Sequence, residues 1–209
     1  MTLNKYRSYV DFILEPSAAF LIRIGLTPNI VSVLSLVFAI LAGVCYYFSY
    51  LYPIDKLVYL MCALVFVMLN SFTDGVDGVM ARQNGMQSNK GDFLDHVIDR
   101  YADTIIICSI FFAGYVHWMI GVVAITGVLI TSYIGTQAQA VGIERDYGGI
   151  MGRADRLFFI FIANIVNIIY PHEIYGLEAL GLVIVIIAIT SHITAIQRFF
   201  HIWGVDERK

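Results

Sequence analysis

Long apolar runs separated by short polar connections constrain the fold of this chain more than any other feature of its sequence. Of 209 residues, 59% are hydrophobic and 14% are charged, whereas a soluble domain has about 25% charged residues. A helix needs about 20 apolar residues to cross a bilayer. Six runs approach that length, at about 30–51, 57–80, 93–116, 118–140, 154–170 and 176–200, and the last could extend to Trp203. The sequence therefore predicts an all-α integral membrane protein with six transmembrane helices.

The remaining segments are too short to form a soluble domain. We expect a single membrane domain over residues 1–209, with the six-helix bundle at 27–203. Residues 1–25 lack the apolar core of a cleavable signal peptide, and their apolar positions predict an amphipathic interfacial helix; the alternative is an irregular polar leader. Thr27 and Pro28 then form a helix start, with Thr27 as the cap. The apolar positions of the interfacial helix are Leu3, Tyr6, Val10, Ile13, Leu14 and Ala18.

Basic residues are concentrated on one side of the predicted bundle. Twelve of the thirteen Lys and Arg residues fall on that side, and only Lys56 falls on the other. By the positive-inside rule, both termini face the cytoplasm, which requires an even number of spans. The short architecture suggests the plasma membrane of a bacterium or an archaeon.

Four aspartates form two pairs at the cytoplasmic ends of the second and third predicted spans. Asp74 and Asp77 are three residues apart, and Asp95 and Asp99 are four apart. Residues at these spacings share one face of a helix, so each pair can direct two carboxylates toward one point. Acidic side chains at a membrane are costly and usually functional. An all-oxygen cluster suits Mg²⁺ or Mn²⁺ better than zinc, and two such ions would offset the clustered negative charge.

Histidine and cysteine add little to this interpretation. His96 follows Asp95 directly, so on a helix its side chain points about 100° away, and a structural role is favoured over ligation. The three cysteines are isolated in apolar segments, which is typical of small residues in helix interfaces. No basic surface with interleaved aromatic residues indicates binding of nucleic acid.

The spacing of the acidic segment resembles the signature of the CDP-alcohol phosphotransferase family. That signature is Asp-x2-Asp-Gly-x2-Ala-Arg-x8-Gly-x3-Asp-x3-Asp, matched here by Asp74, Asp77, Gly78, Ala81, Arg82, Gly91, Asp95 and Asp99. The resemblance implies a membrane enzyme that moves a substituted phosphate group from a CDP-linked lipid, CDP-diacylglycerol or CDP-archaeol, to the hydroxyl of a small polar acceptor. It also implies that CMP would be released, that the donor's tails would stay among the membrane lipids, and that the enzyme would be a homodimer.

The resemblance also implies a role for each site residue. Asp74, Asp77 and Asp95 would be the principal metal ligands, and Asp99 would complete the second metal site and act as the general base. Gly78 and Ala81 would leave room for the cytidine, and Arg82 would lie near the pyrophosphate or brace the carboxylates. The residues expected to bind the nucleotide or donor are Asp74, Asp77, Gly78, Ala81, Arg82, Gly91, Thr27, Pro28 and Asn29.

Residues in the second half of the chain are the candidates for acceptor binding. Arg153, Arg156 and Arg198 would suit an acceptor that bears a phosphate, and Ser132 would contribute a hydroxyl; the alternative is that the arginines are ordinary positive-inside anchors. Residues 153–157, 132–134 and 197–198 resemble the phosphatidylinositol-phosphate synthase branch, whose acceptor is inositol phosphate. That branch has a Lys and then an Arg after Ser-Tyr-Ile, whereas this chain continues with the neutral residues 135–139.

Several alternatives to this prediction remain open. The predicted acceptor is inositol phosphate or a related polyol phosphate such as glycerol phosphate, and the polar face of Ser132, Thr136 and Gln139 could contact its polyol through neutral hydrogen bonds. Within the family, the acceptor could instead be unphosphorylated, such as serine or inositol, or the donor could be a CDP-polyol. Outside the family, intramembrane acids could line the path of an ion-coupled transporter, although such sites tend to lie at mid-membrane. A membrane prenyltransferase also uses aspartate pairs with Mg²⁺, but its two motifs typically lie far apart in the chain.

Overall fold

The computed structural model describes residues 7–83, 85–144, 146 and 148–206, with side chains given within 12–204. These residues contain no β-strand, which confirms the all-α class. Residues 1–6 of the predicted interfacial helix and residues 207–209 of the predicted domain lie outside the described part. The helices are α1 (Arg7–Arg23), α2 (Pro28–Leu51), α3 (Lys56–Gln83), α4 (Asn89–Ala113), α5 (Trp118–Ala140), α6 (Arg153–Ile169) and α7 (Ala179–Asp206).

Four of these helices are long and apolar enough to cross a membrane. They are α2, α3, α5 and, over Ala179–Gly204, α7. Helix α4 carries most of its charged residues in its first half, and α6 has only 17 residues and begins with a charged segment. The chain is thus an all-α membrane protein, and the crossing of the bilayer by α4 and α6 remains a prediction.

The helix ends follow from local chemistry. Thr27 caps α2 as predicted, since its hydroxyl accepts a hydrogen bond from the Ile30 N–H at 3.4 Å. Helix α4 begins earlier than predicted because the Ser88 hydroxyl accepts a bond from the Gly91 N–H at 3.0 Å. It also ends earlier, because Gly114 has φ +112°, a left-handed conformation that stops a helix. The final helix ends at Asp206, three residues beyond Trp203, the furthest end predicted from the sequence.

The described residues up to Ala113 form one compact unit, here called the N-terminal unit. Within it α2 packs along α3 and α4, and α1 packs on α3. Leu14 and Ala18 of α1 are buried in a core with Val31, Val76, Val79 and Met80. Phe12 and Ile13 of the same helix are 83% and 59% exposed. Outward-facing apolar side chains suit a helix at a membrane surface, and that location of α1 remains a prediction.

The residues from Gly114 onward form a second compact unit, the C-terminal unit. Here α5 and α7 pack closely, because Gly127 has no side chain: a Cβ there would lie 2.8 Å from the ring of His192. That ring is 3.0 Å from the Val123 carbonyl, and the Thr131 hydroxyl donates to the Ser191 carbonyl at 2.8 Å. These bonds hold α7 against the length of α5, and they set which residues of α7 reach the loop before α6.

Candidate active site

An open cleft in the N-terminal unit brings together most of the predicted donor-binding residues. Its volume is about 420 Å³, and residues of α2, α3, α4 and the α3–α4 connection line it. The predicted residues that line it are Pro28, Asn29, Asp77, Gly78, Ala81, Arg82, Gly91 and Asp95. Thr27, Asp74 and Asp99 are not among the lining residues. Segments about 50 residues apart in sequence therefore meet at one opening.

Asp77 is the predicted metal ligand that lies deepest in α3, with 4% of its surface exposed. Its Oδ2 atom accepts a hydrogen bond of 2.5 Å from the hydroxyl of Ser32 on α2. Its charged neighbours are Asp74 and Asp95. A buried carboxylate whose charged neighbours are both acids is poorly stabilised by the protein alone.

Asp95 and Asp99 form a second part of the site, together with a residue that the sequence analysis set aside. Asp95, His96 and Asp99 each offer a ligand atom, and these atoms all lie within 4.8 Å of one another. The His96 ring is also 3.8 Å from an oxygen of Asp92. The structural role predicted for His96 considered only its direction relative to Asp95. The i,i+3 spacing to Asp99 and the i,i+4 spacing from Asp92 were the signals for a place in the cluster.

Asp99, the predicted general base, is buried and forms an ion pair. Its Oδ2 atom accepts a hydrogen bond of 3.1 Å from Arg100 Nη2. One turn further along α4, Asp103 is also buried. Neither Arg100 nor Asp103 was singled out from the sequence, although Asp103 follows Asp99 at the same spacing that joins Asp95 to Asp99. The ion pair holds one oxygen of Asp99 in place.

The donor atoms of this cluster fit a divalent cation such as Mg²⁺ or Mn²⁺. Oxygen ligands from several carboxylates are what these ions prefer, and the imidazole of His96 is compatible with Mn²⁺. Asp77 is buried beside two further acids, and positive charge at that point would offset their repulsion. The residues that could hold such ions are Asp74, Asp77, Asp95 and Asp99, with His96 beside them.

Two glycines shape the cleft in different ways. A Cβ at Gly91 would lie 3.3 Å from Asn29 Oδ1 and 3.2 Å from Ser88 Oγ, so glycine permits the start of α4 to approach α2. A Cβ at Gly78 would meet only Arg82 Nη1, at an ordinary 3.5 Å. Packing within the chain therefore does not require glycine at position 78. Its small size instead keeps one wall of the cleft open.

The predicted acceptor-binding residues, here called the arginine cluster (Ser132, Arg153, Arg156 and Arg198), lie in the C-terminal unit. Arg198 is 6% exposed, and it donates from Nε to the Gly148 carbonyl at 2.9 Å and from Nη1 to the Thr131 carbonyl at 3.0 Å. It therefore lies beside the backbone that precedes Ser132. Arg156 is buried, whereas Arg153 and Ser132 are half-buried.

The loop between α5 and α6 is attached to α7 around Arg198. The Ile150 N–H donates to Gln197 Oε1 at 3.2 Å, and the Met151 N–H donates to the Thr194 hydroxyl at 3.1 Å. Asp155 then accepts a bond of 2.9 Å from the Gly152 N–H and so starts α6. This acid within the Arg-Ala-Asp-Arg segment has a helix-capping role that the sequence analysis did not assign.

Comparison with known proteins gives the family of this chain. Residues 25–203 match the family model of the CDP-alcohol phosphatidyltransferases. The chain belongs to the CDP-alcohol phosphatidyltransferase family. The resemblance read from the aspartate spacing is confirmed, and the chain is a membrane-associated transferase acting on a CDP-linked donor. Membership of this family argues against the transporter and prenyltransferase alternatives.

Relatives of this chain include archaeal and bacterial members of the family. It is 30% identical over 198 residues to an archaetidylinositol phosphate synthase of Pyrococcus horikoshii, covering 95% of each chain. It is 31% identical over 209 residues to a phosphatidylinositol phosphate synthase of Streptomyces avermitilis, covering 94% of this chain and 80% of that protein.

Solved structures of a third relative share the fold. The phosphatidylinositol phosphate synthase of Mycobacterium tuberculosis with CDP-DAG bound gives a TM-score of 0.75 at 26% identity, over 91% of this chain and 94% of that chain. The same enzyme in complex with manganese and citrate gives a TM-score of 0.76 at 25% identity, over 91% of this chain and 88% of that chain.

Proposed function

We propose that this transferase moves the substituted phosphate group of a CDP-linked lipid to a hydroxyl of inositol phosphate and releases CMP. The observation that carries the proposal is the cleft, because two of the family's aspartates, Asp77 and Asp95, line one opening together with most of the predicted nucleotide-contacting residues. Both relatives described above are inositol phosphate synthases, one with an archaetidyl and one with a phosphatidyl product. The donor is accordingly CDP-archaeol or CDP-diacylglycerol.

Two divalent ions, Mg²⁺ or Mn²⁺, are proposed to bind between α3 and α4. Asp74, Asp77 and Asp95 are the principal ligands, and Asp99 completes the second ion's site. Bound there, the ions would supply charge neutralisation for the donor's pyrophosphate and for the departing CMP. A relative that binds manganese supports this proposal.

The remaining cleft residues have proposed roles in donor binding and proton transfer. Asp99 takes the proton of the acceptor hydroxyl on a carboxylate oxygen, while Arg100 holds its other oxygen. Arg82 lines the cleft and carries the positive charge that a pyrophosphate would contact. Pro28 and Asn29 are proposed to lie against the nucleotide. Gly78, Ala81 and Gly91 leave space for it, and Thr27 shapes the start of α2.

Acceptor binding is proposed for the arginine cluster of the C-terminal unit. Arg153 and Arg156 begin α6, and Arg198 projects from α7 into the loop that leads to them. Guanidinium groups so placed suit an acceptor phosphate, and Ser132 suits a polyol hydroxyl. The neutral residues 135–139 favour a competing acceptor without phosphate, inositol or serine, because the two cations of the synthase branch are missing there.

An acceptor panel tests the proposal directly. Purified protein is incubated with Mg²⁺, with CDP-archaeol or CDP-diacylglycerol as the donor, and with one of four acceptors. The acceptors are inositol phosphate, glycerol phosphate, inositol and serine. We expect CMP release with inositol phosphate and a lipid product whose mass equals that of the CDP-lipid plus inositol phosphate minus CMP. Activity confined to inositol or serine would contradict the phosphate assignment while leaving the family unchanged.

The membrane arrangement completes the proposal. We propose that helices α2–α7 all cross the membrane within a single functional domain and that α1 lies on the membrane surface. Both termini and the cleft are placed on the cytoplasmic side of a prokaryotic plasma membrane. The enzyme is proposed to be a homodimer. The one-sided distribution of Lys and Arg supports the orientation. Labelling of single cysteines introduced at Ser88 and at His117 in sealed vesicles, with the three natural cysteines replaced, should give opposite accessibility because α4 alone separates the two positions. Equal accessibility at both positions would contradict six crossings.

A further inference from the structure

A single hydrogen bond links the predicted metal site in α3 to helix α2. The Ser32 hydroxyl and Asp77 Oδ2 are 2.5 Å apart, although the two residues are separated by 45 positions in the sequence. Both residues are 4% exposed. A hydroxyl bonded to a carboxylate at 2.5 to 2.7 Å is a charge-assisted bond, which is stronger than a bond between neutral groups.

The proton of Ser32 has two acceptors within reach, and the carboxylate is the better one. The Pro28 carbonyl, one turn back on α2, lies 3.1 Å from the Ser32 hydroxyl oxygen. A serine hydroxyl carries one hydrogen, so it can donate fully to only one of them. The shorter distance and the negative charge both favour Asp77. The Oδ2 atom is then held by α2, the Gly78 backbone N–H also donates to this carboxylate, and Asp77 lines the cleft in which a ligand would bind.

Further buried polar contacts set the register of α2 against α3. Asn70 Nδ2 donates to the Ser35 carbonyl at 2.9 Å, and the Ser35 hydroxyl donates to the Ser32 carbonyl at 2.8 Å. Asn70 precedes Asp77 by two helical turns and lies on the same face. Because the Asn70 contact fixes how the helices slide past each other, the Ser32 hydroxyl is already placed opposite Asp77 before any ion binds.

We propose that Ser32 is a positioning residue for the metal site: its hydroxyl fixes the orientation of the Asp77 carboxylate so that the carboxylate can bind a divalent ion in the cleft. The inference rests on the proposed metal-binding role of Asp77 and adds a residue outside the aspartate motif. Partners that orient metal ligands typically change metal affinity or activity about 10- to 100-fold when removed.

Ser35 provides a matched control on the same helix. It is a serine of the same size and is also buried. Its hydroxyl donates within α2 and not to Asp77. Ser35→Ala therefore removes the same atom at similar depth while leaving the Ser32–Asp77 bond intact. Ser32→Thr is the conservative variant, because it keeps the hydroxyl, and Ser32→Cys keeps the volume but donates weakly.

The primary experiment measures Mn²⁺ binding to purified protein by electron paramagnetic resonance of the free ion, without donor or acceptor. Ser32→Ala should bind Mn²⁺ about 10- to 100-fold more weakly than the unaltered protein. Ser35→Ala and Ser32→Thr should bind within about threefold of it. In assays, Ser32→Ala should raise the Mg²⁺ concentration for half-maximal activity while leaving the KM for acceptor unchanged. If Ser32→Ala does not fold, Ser32→Cys is measured instead, with the same expectation.

Two outcomes would overturn the inference, and they are distinguishable. Equal Mn²⁺ affinity in Ser32→Ala and Ser35→Ala, with unaltered protein binding normally, would leave Ser32 as a helix-packing residue and the metal site intact. Absence of Mn²⁺ binding by the unaltered protein would instead remove the proposed metal site and this inference with it.

Discussion

The aspartate cleft and the arginine cluster both contain charged residues in apolar surroundings, yet their contacts differ in kind. In the cleft, the charged neighbours of Asp77 are two further acids, and its hydrogen bonds come from the neutral Ser32 hydroxyl and the Gly78 backbone N–H. In the cluster, Arg198 donates to two backbone carbonyls, one in α5 and one in the loop before α6. The cleft thus contains clustered acidic groups that a cation can bind, whereas two of the N–H groups of Arg198 already hold parts of the fold together.

Local spacing explains why one region could be read from sequence more fully than the other. The four motif aspartates lie within 26 consecutive residues on two helices joined by a short connection, so helical periodicity places them. The arginine cluster draws on three helices and a loop spread over residues 132–198. Its geometry depends on how α5, α6 and α7 pack, which no local pattern specifies.

The largest effect that separates the two regions should come from metal removal. Excess chelator should lower CMP release below detection, because the clustered carboxylates would repel the donor's pyrophosphate without a cation between them. Adding Mg²⁺ or Mn²⁺ should restore activity. Chelator already saturated with Mg²⁺ is the control and should have no effect. Full activity in excess chelator would contradict the metal requirement of the acidic cleft. The proposed difference between the cleft and the arginine cluster would then lose its basis.

The next largest effect is expected for Asp99→Asn. The amide cannot take the acceptor proton, so transfer should slow by about 10²- to 10⁴-fold, while the volume of the side chain is kept. Binding of the CDP-linked donor, measured with radiolabelled donor, should change far less. Asp55→Asn is the control at another acid, since Asp55 is exposed, outside the motif and not among the residues that line the cleft. Near-normal CMP release by Asp99→Asn would exclude the proposed base.

A smaller and more selective effect is expected for Arg153→Gln. Arg153 is half-buried, and the loss of one guanidinium from a phosphate site should raise the KM for inositol phosphate about 10- to 100-fold. The KM for the CDP-linked donor should stay within about twofold, because the donor residues belong to the N-terminal unit. Arg23→Gln, at the exposed end of α1, is the control for a general loss of basic charge. Equal changes in both KM values would contradict an acceptor role for Arg153.

The sequence alone was sufficient to predict the class of fold and most of the residues that line the cleft. Specific residues show which contacts it could not predict. Thr27 and Pro28 start α2 as predicted because capping depends on adjacent residues only. Asn29, by contrast, reaches Gly91 because two helices approach each other. The family resemblance placed both residues near the donor, but no local pattern predicts their contact.

Residues missed by the sequence analysis share one property: their contacts cross between helices or run along a helix at a spacing that was not examined. Ser32 meets Asp77 across 45 positions, so only the packing of α2 on α3 reveals it. His96 joins the cluster through Asp92 and Asp99 on its own helix. Asp155 lies in the Arg-Ala-Asp-Arg segment among the predicted acceptor-binding residues, but its carboxylate caps the start of α6. Charged residue type alone did not separate ligand-facing groups from groups that stabilise a helix end.

The smallest effect, and the one that most sharpens the comparison, is expected for Arg198→Gln. The shorter amide cannot reach both the Gly148 and Thr131 carbonyls, and a buried acceptor that loses its partner costs about 1–3 kcal/mol. The melting temperature in detergent should therefore fall by several degrees. His201→Gln, which alters an exposed pair with Asp146 on the same loop, is the control and should cost at most about 1 kcal/mol.

The pattern of change in Arg198→Gln distinguishes two roles for that residue. A raised KM for inositol phosphate together with a lowered melting temperature would mean that Arg198 both binds acceptor and holds the α5–α6 loop on α7. An unchanged melting temperature with a raised KM would contradict the structural role inferred from its two carbonyl bonds. In that case the guanidinium of Arg198, like the carboxylates of the cleft, would serve to bind a ligand and not to stabilise the fold. The contrast between the two regions would then disappear.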